Sequence, residues 1–135
     1  MERKACKMIR SIEIPTRPRP APRVRVTRWG SYNDPRYTEH KDIIREVWEK
    51  NHNVRLEGAL KMSILFQFEK TKSWTKKKKS EAYWHTQRGD IDNLSKSVLD
   101  ALNKIAYKDD SQICDLDVVK VWGDTNKIVV ELEEI

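Results

Sequence analysis

The sequence predicts a single small α+β domain in which two main helices pack on a mixed, mostly antiparallel sheet. Three observations predict it. The chain has 135 residues, the usual size of one domain. Ile91, Leu94, Val98, Leu102 and Ile105 recur at helical spacing. Met62, Ile64, Phe66 and Phe68 alternate along one face, as strand residues do. Charged residues make up 36% and hydrophobic ones 38%, against about 25% and 45–50% in typical domains, so the core is modest and much of the surface ionic.

In chain order, Met8–Ile14 reads as a strand with Ile12 and Ile14 on one side. Pro18, Pro20 and Pro22 then forbid a helix or a central strand, so Thr16–Arg25 is an extended, polyproline-like strip. Arg17, Arg19, Arg23 and Arg25 project from it as candidate nucleic-acid contacts. Residues 38–50 form a helix with Thr38 as N-cap and Ile43, Ile44, Val47 and Trp48 on its inner face. A strand follows over 56–68. Residues 69–89 lose all apolar periodicity and form a basic, mobile loop. Ile91–Ala106 is the clearest helix, with Asp92 in the capping position. Ile113–Trp122 and Lys127–Leu132 alternate as two strands, and Gly123-Asp124-Thr125-Asn126 between them reads as a hairpin turn. On the first of these, Cys114 shares a side with Leu116 and Val118 and reads as a core thiol.

Several classes are excluded. No apolar run approaches the ~20 residues that span a bilayer. Met1–Cys6 lacks the apolar stretch of a secretory signal. Cys6 and Cys114 make no disulfide framework, and free thiols suit a reducing cytoplasm. The expected setting is cytoplasmic, with no membrane partner.

Charge is divided along the chain. Residues 1–89 hold 22 Lys/Arg and 10 Asp/Glu, a balance of +12, whereas residues 90–135 hold 5 and 11, a balance of −6. A basic half neutralises phosphates; an acidic half does so only if its carboxylates hold a cation. A solvated basic face with scattered acids is the alternative. In the loop, Lys76, Lys77, Lys78 and Lys79 stand among Trp74, Tyr83 and Trp84, a mix suited to phosphates and exposed bases. The competing reading is a solvated loop whose aromatics fold back onto the core.

The chemistry concentrates in Asp90-Ile91-Asp92-Asn93-Leu94-Ser95-Lys96 and in Asp109-Asp110. Asp90 and Asp92 alternate into the helix, and Lys96 and Asp100 follow Asp92 on the same helical face, opposite Leu94, Val98 and Leu102. Hard oxygen donors suit Mg²⁺ or Mn²⁺. Equally, Asp92 caps the helix and Lys96 pairs with a neighbouring carboxylate. His85 is a candidate general base or plain surface. Asp115-Leu116-Asp117 reads as the wet face of a strand.

Residues 90–112 resemble the RusA-type Holliday junction resolvases: D-x-D-N-L-x-K, the helical Asp100-Ala101-Leu102 and the Asp109-Asp110-Ser111-Gln112 run fall in order. The likeness extends more weakly through the Arg/Pro strip and the final strand pair. It implies a RusA-like fold and a homodimeric, Mg²⁺-dependent (or Mn²⁺-dependent) endonuclease, bacterial or carried on a phage or prophage. The implied activity is paired, symmetric cutting of four-way DNA junctions in recombination and repair, with no small-molecule cofactor. By position it makes Asp90, Asp92 and Asp110 the metal ligands and Lys96 the essential lysine, with Asp109 a less certain neighbour. The alternative is a catalytically inactive junction-binding protein of the same fold.

One geometric tension accompanies this reading. A helix over residues 93–105 is roughly 20 Å long, and Asp110 follows its far end, while five extended residues return at most about 16 Å. Asp110 reaches Asp90 only by a tight return, with a shorter helix, or on a partner subunit. The first strand or Lys127–Ile135 is the expected pairing edge for such a partner.

Overall fold

The computed structural model describes residues 9–22, 25–27, 30–32 and 34–135. The elements are β1 (Ile9–Ile14), β2 (Arg25–Thr27), β3 (Gly30–Tyr32), α1 (Pro35–Asn51), β4 (Leu60–Glu69), α2 (Lys76–Glu81), α3 (Ile91–Leu102), a 3₁₀ turn (Asp110–Gln112), β5 (Ile113–Gly123) and β6 (Lys127–Glu134). The α+β class and the mostly antiparallel sheet are as expected. Strand order is β1-β6-β4-β5, antiparallel at β1–β6 and β6–β4 and parallel at β4–β5.

Alternation builds the core. Met62, Ile64 and Phe66 of β4 stand in register with Leu132, Val130 and Ile128 of β6, and Ile12 and Ile14 of β1 extend the same face. Ile44 and Trp48 of α1 and Leu94, Val98 and Leu102 of α3 bury that face. Removing water from such side chains contributes about 1.5–3 kcal/mol each. On the opposite face Leu65, Val119 and Val129 stand half-buried.

Several expectations are corrected. The first helix starts at Pro35 with Asp34 as its cap, whose carboxylate accepts from Arg36 N–H at 2.9 Å. Proline at the first helical position surrenders an N–H that lacks a partner there anyway, so Thr38 lies inside the helix. The last strands form no hairpin: β5 and β6 both pair with β4, which lies between them. The turn at residues 124–126 therefore crosses the end of β4, where Gln67 Nε2 donates to Thr125 O at 2.8 Å and Glu69 N–H donates to Asn126 Oδ1 at 2.9 Å. A Cβ on Gly123 would lie 2.2 Å from Gln67 Cδ, so glycine permits this crossing. Because β6 is paired on both sides, Lys127–Ile135 is no free edge; the edge strands are β1 and β5.

Cys114 is exposed rather than core. The register passes from Leu60↔Ile113 to Lys61↔Asp115, leaving Cys114 as the extra residue of a bulge. That shift breaks the alternation which aligned it with Leu116 and Val118. The long helix stops at Leu102, not Ala106: Asn103 is extended and Lys104 takes a φ of 66°. Residues 69–89 contain α2, capped by Thr75 Oγ1, which accepts from Lys78 N–H at 3.2 Å. The short β2–β3 pair was not expected from the sequence.

Candidate active site

The Asp90 end of α3 is held by the sheet and by the Arg/Pro strip. Gly89 has a φ of 118°, a conformation that glycine adopts at no steric cost, and Asp90 follows in extended geometry as the N-cap. The cap is therefore Asp90 rather than Asp92; its side chain makes no capping hydrogen bond, and Asp92 lies in the first turn, where a carboxylate is favoured by the helix dipole. Both aspartates are exposed. Behind them, Lys120 of β5 donates its ammonium to Gln87 O at 3.0 Å and to Gly89 O at 2.6 Å. From the other side Ala21 N–H donates to Asn93 O at 2.9 Å, tying the strip to the same turn.

This docking forms a cleft of about 320 Å³ lined by Arg17, Pro18, Arg19, Pro20, Phe68, Arg88, Gly89 and Leu94. Arg17 and Arg19 are exposed, so the strip does place cations beside the acidic turn. Arg23 lies outside the described residues, and Arg25 is in β2 with its side chain undescribed.

Lys96 stands exposed one turn further along α3, 3.7 Å from Asp100. Asp100 also accepts a hydrogen bond of 2.7 Å from the Tyr37 hydroxyl of α1. Burial, then the Asp100 carboxylate, push that hydroxyl's pKa far above its ordinary value, so Tyr37 remains a donor. The expected stripe of Asp92, Lys96 and Asp100 over Leu94, Val98 and Leu102 is present.

The Asp110 turn is built separately. Tyr107 is fully buried and its hydroxyl donates to Leu99 O at 2.9 Å. Asp109 caps the 3₁₀ turn, its carboxylate accepting from Ser111 N–H at 3.1 Å; the Ser111 side chain first, and then that N–H, hold its pKa below the usual carboxylate range. Gln112 returns to Asp109 N–H at 3.0 Å and donates to Leu56 O at 3.2 Å. Asp110 keeps its carboxylate free of hydrogen bonds among the described residues; its carbonyl accepts from Ile113 N–H, and its own N–H donates to Asn103 Oδ1 at 3.1 Å.

That last bond fixes Asp110 at the C-terminal end of α3. With 12 residues in α3 at about 1.5 Å each, it lies roughly 18 Å from the Asp90 end. Of the three routes open to Asp110, the helix is shorter than drawn, yet no tight return occurs. Among the described residues of one chain, no three Asp, Glu, His or Cys side chains gather as a metal group. One chain brings Asp90, Asp92 and Lys96 to one helix end and leaves Asp110 at the other.

The basic segment is partly folded back. Trp74 packs edge-on to Trp122 at 4.7 Å, and Lys78 Nζ lies 4.4 Å over the Trp74 ring. Lys70 Nζ donates to Lys79 O. Lys76, Lys77 and Lys78 are exposed, as are Tyr83 and Trp84, whereas Lys79 is half-buried. His85 is no surface residue: its ring stacks on Phe68 at 4.0 Å and tilts against Trp122 at 4.3 Å. Burial lowers its pKa, Lys120 and Arg17 adding to the effect.

Tyr37, Arg88, His40 and Lys120 were missed from sequence. Arg88 carried a signal, its place just ahead of Gly89-Asp90. His40 sits four and eight residues before Ile44 and Trp48, a core spacing. Tyr37 and Lys120 carried none, because their partners are 63 and 31 residues away.

Among the described residues, no helix is long and apolar enough to cross a membrane. A model of the family described as endodeoxyribonuclease RusA matches residues 15–133. The chain is 37% identical over 96 residues to a crossover junction endodeoxyribonuclease rusA of Lactococcus phage r1t, covering 70% of this chain and 65% of that one. It is 41% identical over 70 residues to the uncharacterized protein YqaN of Bacillus subtilis (strain 168), covering 49% of each. The chain thus spans between half and about two thirds of the length of these relatives.

Proposed function

The chain belongs to the RusA endodeoxyribonuclease family, and from that premise we propose that it resolves four-way DNA junctions by paired, symmetric phosphodiester hydrolysis. The observation that carries the reading is the placement of Asp90, Asp92 and Lys96 at one helix end beside a cleft lined by Arg17, Arg19 and Arg88. Phosphate binding and acidic chemistry meet there.

The proposed metal is Mg²⁺, with Mn²⁺ as substitute, held by Asp90, Asp92 and Asp110. One chain does not fit this donor set, since Asp110 is at the far end of α3. The site is therefore proposed to form across a homodimer, with Asp110 supplied by a second copy. β5 supports this: it leaves the Asp110 turn directly, carries Lys120 against Gly89, and exposes residues 114–117 on a sheet edge. That edge is open over residues 114–117, whereas Tyr83–His85 already bridge Lys120–Trp122. Two β5 strands set antiparallel along the open part would bring Asp110 of one copy toward Asp90 of the other, and a two-fold dimer supplies two matched cuts.

A bound divalent ion would polarise the phosphate and acidify a coordinated water. The protein's own part is positional and electrostatic. Arg17, Arg19 and Arg88 hold the strand's phosphates, and Lys76–Lys79 add cationic surface for an arm of the junction. Lys96, steered by Asp100 and Tyr37, is a fixed cation that stabilises charge developing on the phosphoryl oxygens. The setting is the cytoplasm of a bacterium or phage-infected cell, in recombination and repair. A second reading, a junction binder that does not cut, has in its favour that no three-carboxylate group gathers among the described residues of one chain.

The test is incubation with a labelled mobile four-way junction in Mg²⁺, beside linear duplex and an Asp90→Asn control. Paired cuts in the junction alone, lost in the variant, are expected. Binding without cutting in either metal would establish the second reading.

A further inference from the structure

A second recess lies on the other side of the Arg/Pro strip. It has a volume of about 280 Å³ and is lined by Thr16, Arg19, Arg36, Glu39, His40 and Ile43. Two features set it apart. His40 is only 2% exposed, and both its ring nitrogens are buried without a hydrogen-bond partner among the described residues. Arg19 and Arg36, in turn, join no ion pair among the described residues.

A neutral imidazole carries one N–H donor and one acceptor, and buried polar groups in native proteins are nearly always paired. An imidazole at a polar recess with neither nitrogen paired points to a missing occupant. The charges around it say which kind. Two guanidiniums against the one carboxylate of Glu39 leave the recess net cationic, and the Thr16 hydroxyl adds a neutral donor. Burial, with the Arg19 charge, lowers the His40 pKa to about 4, so without an anion the ring is neutral. Arg19 also lines the cleft that leads to Gly89 and Asp90, so the two recesses are adjacent steps along one basic strip.

We propose that this recess binds a backbone phosphate of the DNA, one that is not cut, held by Arg19 and Arg36 with a His40 ring N–H donating to it. This rests on the nuclease reading and deepens it: the strand that enters the cleft is anchored on both sides of the strip. Arg36 and His40 then set where an arm of the junction lies relative to Asp90, while taking no part in hydrolysis.

The test uses the full chain with ¹⁵N-labelled histidine, following the His40 ring nitrogens as four-way junction is added without divalent metal, and separately as inorganic phosphate is added. Junction binding is also measured across salt concentrations for wild type and Arg36→Gln. The junction is expected to shift the His40 signals. Arg36→Gln should abolish that shift, weaken binding about 5–10-fold and reduce the salt slope by about one. Unmoved His40 signals with a junction that binds, or an unchanged salt slope in Arg36→Gln, would overturn the assignment and leave a buried water as the occupant. Shifts with inorganic phosphate but not with bound junction would make it a free-phosphate site and overturn the DNA part. Failure of wild type to bind any junction is a distinct result that overturns the nuclease reading and, with it, this one.

Discussion

The ammonium of Lys120 and the carbonyl of Gly89 stand 2.6 Å apart, and the same ammonium holds Gln87 O at 3.0 Å. The bond joins the sheet to the residue before Asp90, and so fixes the direction in which the chain enters α3. Lys120→Met removes both bonds without touching a carboxylate. Since a small misplacement of reacting groups costs up to about 100-fold, single-turnover cleavage should fall about 10- to 100-fold while junction affinity changes less than about threefold. A loss of affinity equal to the loss of rate would show that Lys120 contacts DNA instead.

A site shared between copies makes a prediction about mixed dimers. Asp90→Asn and Asp110→Asn homodimers should each be inactive. In the mixed dimer one site collects both lesions and the other none, so one strand is cut and the product is a nicked junction. Sites complete within each chain would leave the mixed dimer inactive. Nicked and resolved products separate on a denaturing gel.

For Lys96, an electrostatic role predicts that Lys96→Arg keeps more activity than Lys96→Ala. Removing one such stabilising group costs about 100- to 1000-fold by analogy with other preorganised donors. Tyr37→Phe, which frees Asp100 from its 2.7 Å hydrogen bond, should reduce the rate by a smaller factor. Equal losses in Lys96→Arg and Lys96→Ala, with binding intact, would indicate proton transfer or strict geometry.

His40 predicts an acid sensitivity. Its folded pKa is about 4, below the ~6.5 of an unfolded histidine. Between these values the unfolded chain binds more protons, so stability falls as pH is lowered from 6.5 toward 4. From pH 7.5 to pH 5 the contribution is about 2 kcal/mol. Urea midpoints should therefore drop more steeply in wild type than in His40→Leu; parallel curves would mean that the ring is not held neutral.

Exposed Cys114 should be modified rapidly by a thiol reagent in the native state of a Cys6→Ser variant. Slow modification that accelerates only in denaturant would restore the core position expected from alternation.

The elements were legible where local pattern decides them. Ile91–Leu102 and Leu60–Glu69 are strongly periodic, and their buried faces are the ones periodicity assigns. Pairing was not legible, because nothing local distinguishes two strands joined by a short turn from two strands that flank a third. For the same reason Cys114 was misplaced: a one-residue bulge reverses alternation and leaves no mark in composition. At the candidate site the residue types and their order were visible, and Asp109 and Asp110 look alike as letters. Folding separates them, since Asp109 spends its carboxylate on Ser111 N–H while Asp110 does not. Long-range holders such as Lys120 and Tyr37 are set by tertiary placement alone.

The position of β4 between β5 and β6 bears on how the molecule assembles. The two C-terminal strands, adjacent in sequence, cannot zip together as a local unit; they must receive a strand whose residues lie more than 50 positions before their partners, as Leu60 does before Ile113 and Glu134. Contacts so remote in sequence close slowly. Synthesis must also reach β6 before β4 gains its second neighbour. Until then one side of β4 stays open, a window in which an unfinished chain is exposed to mispairing with another of its kind.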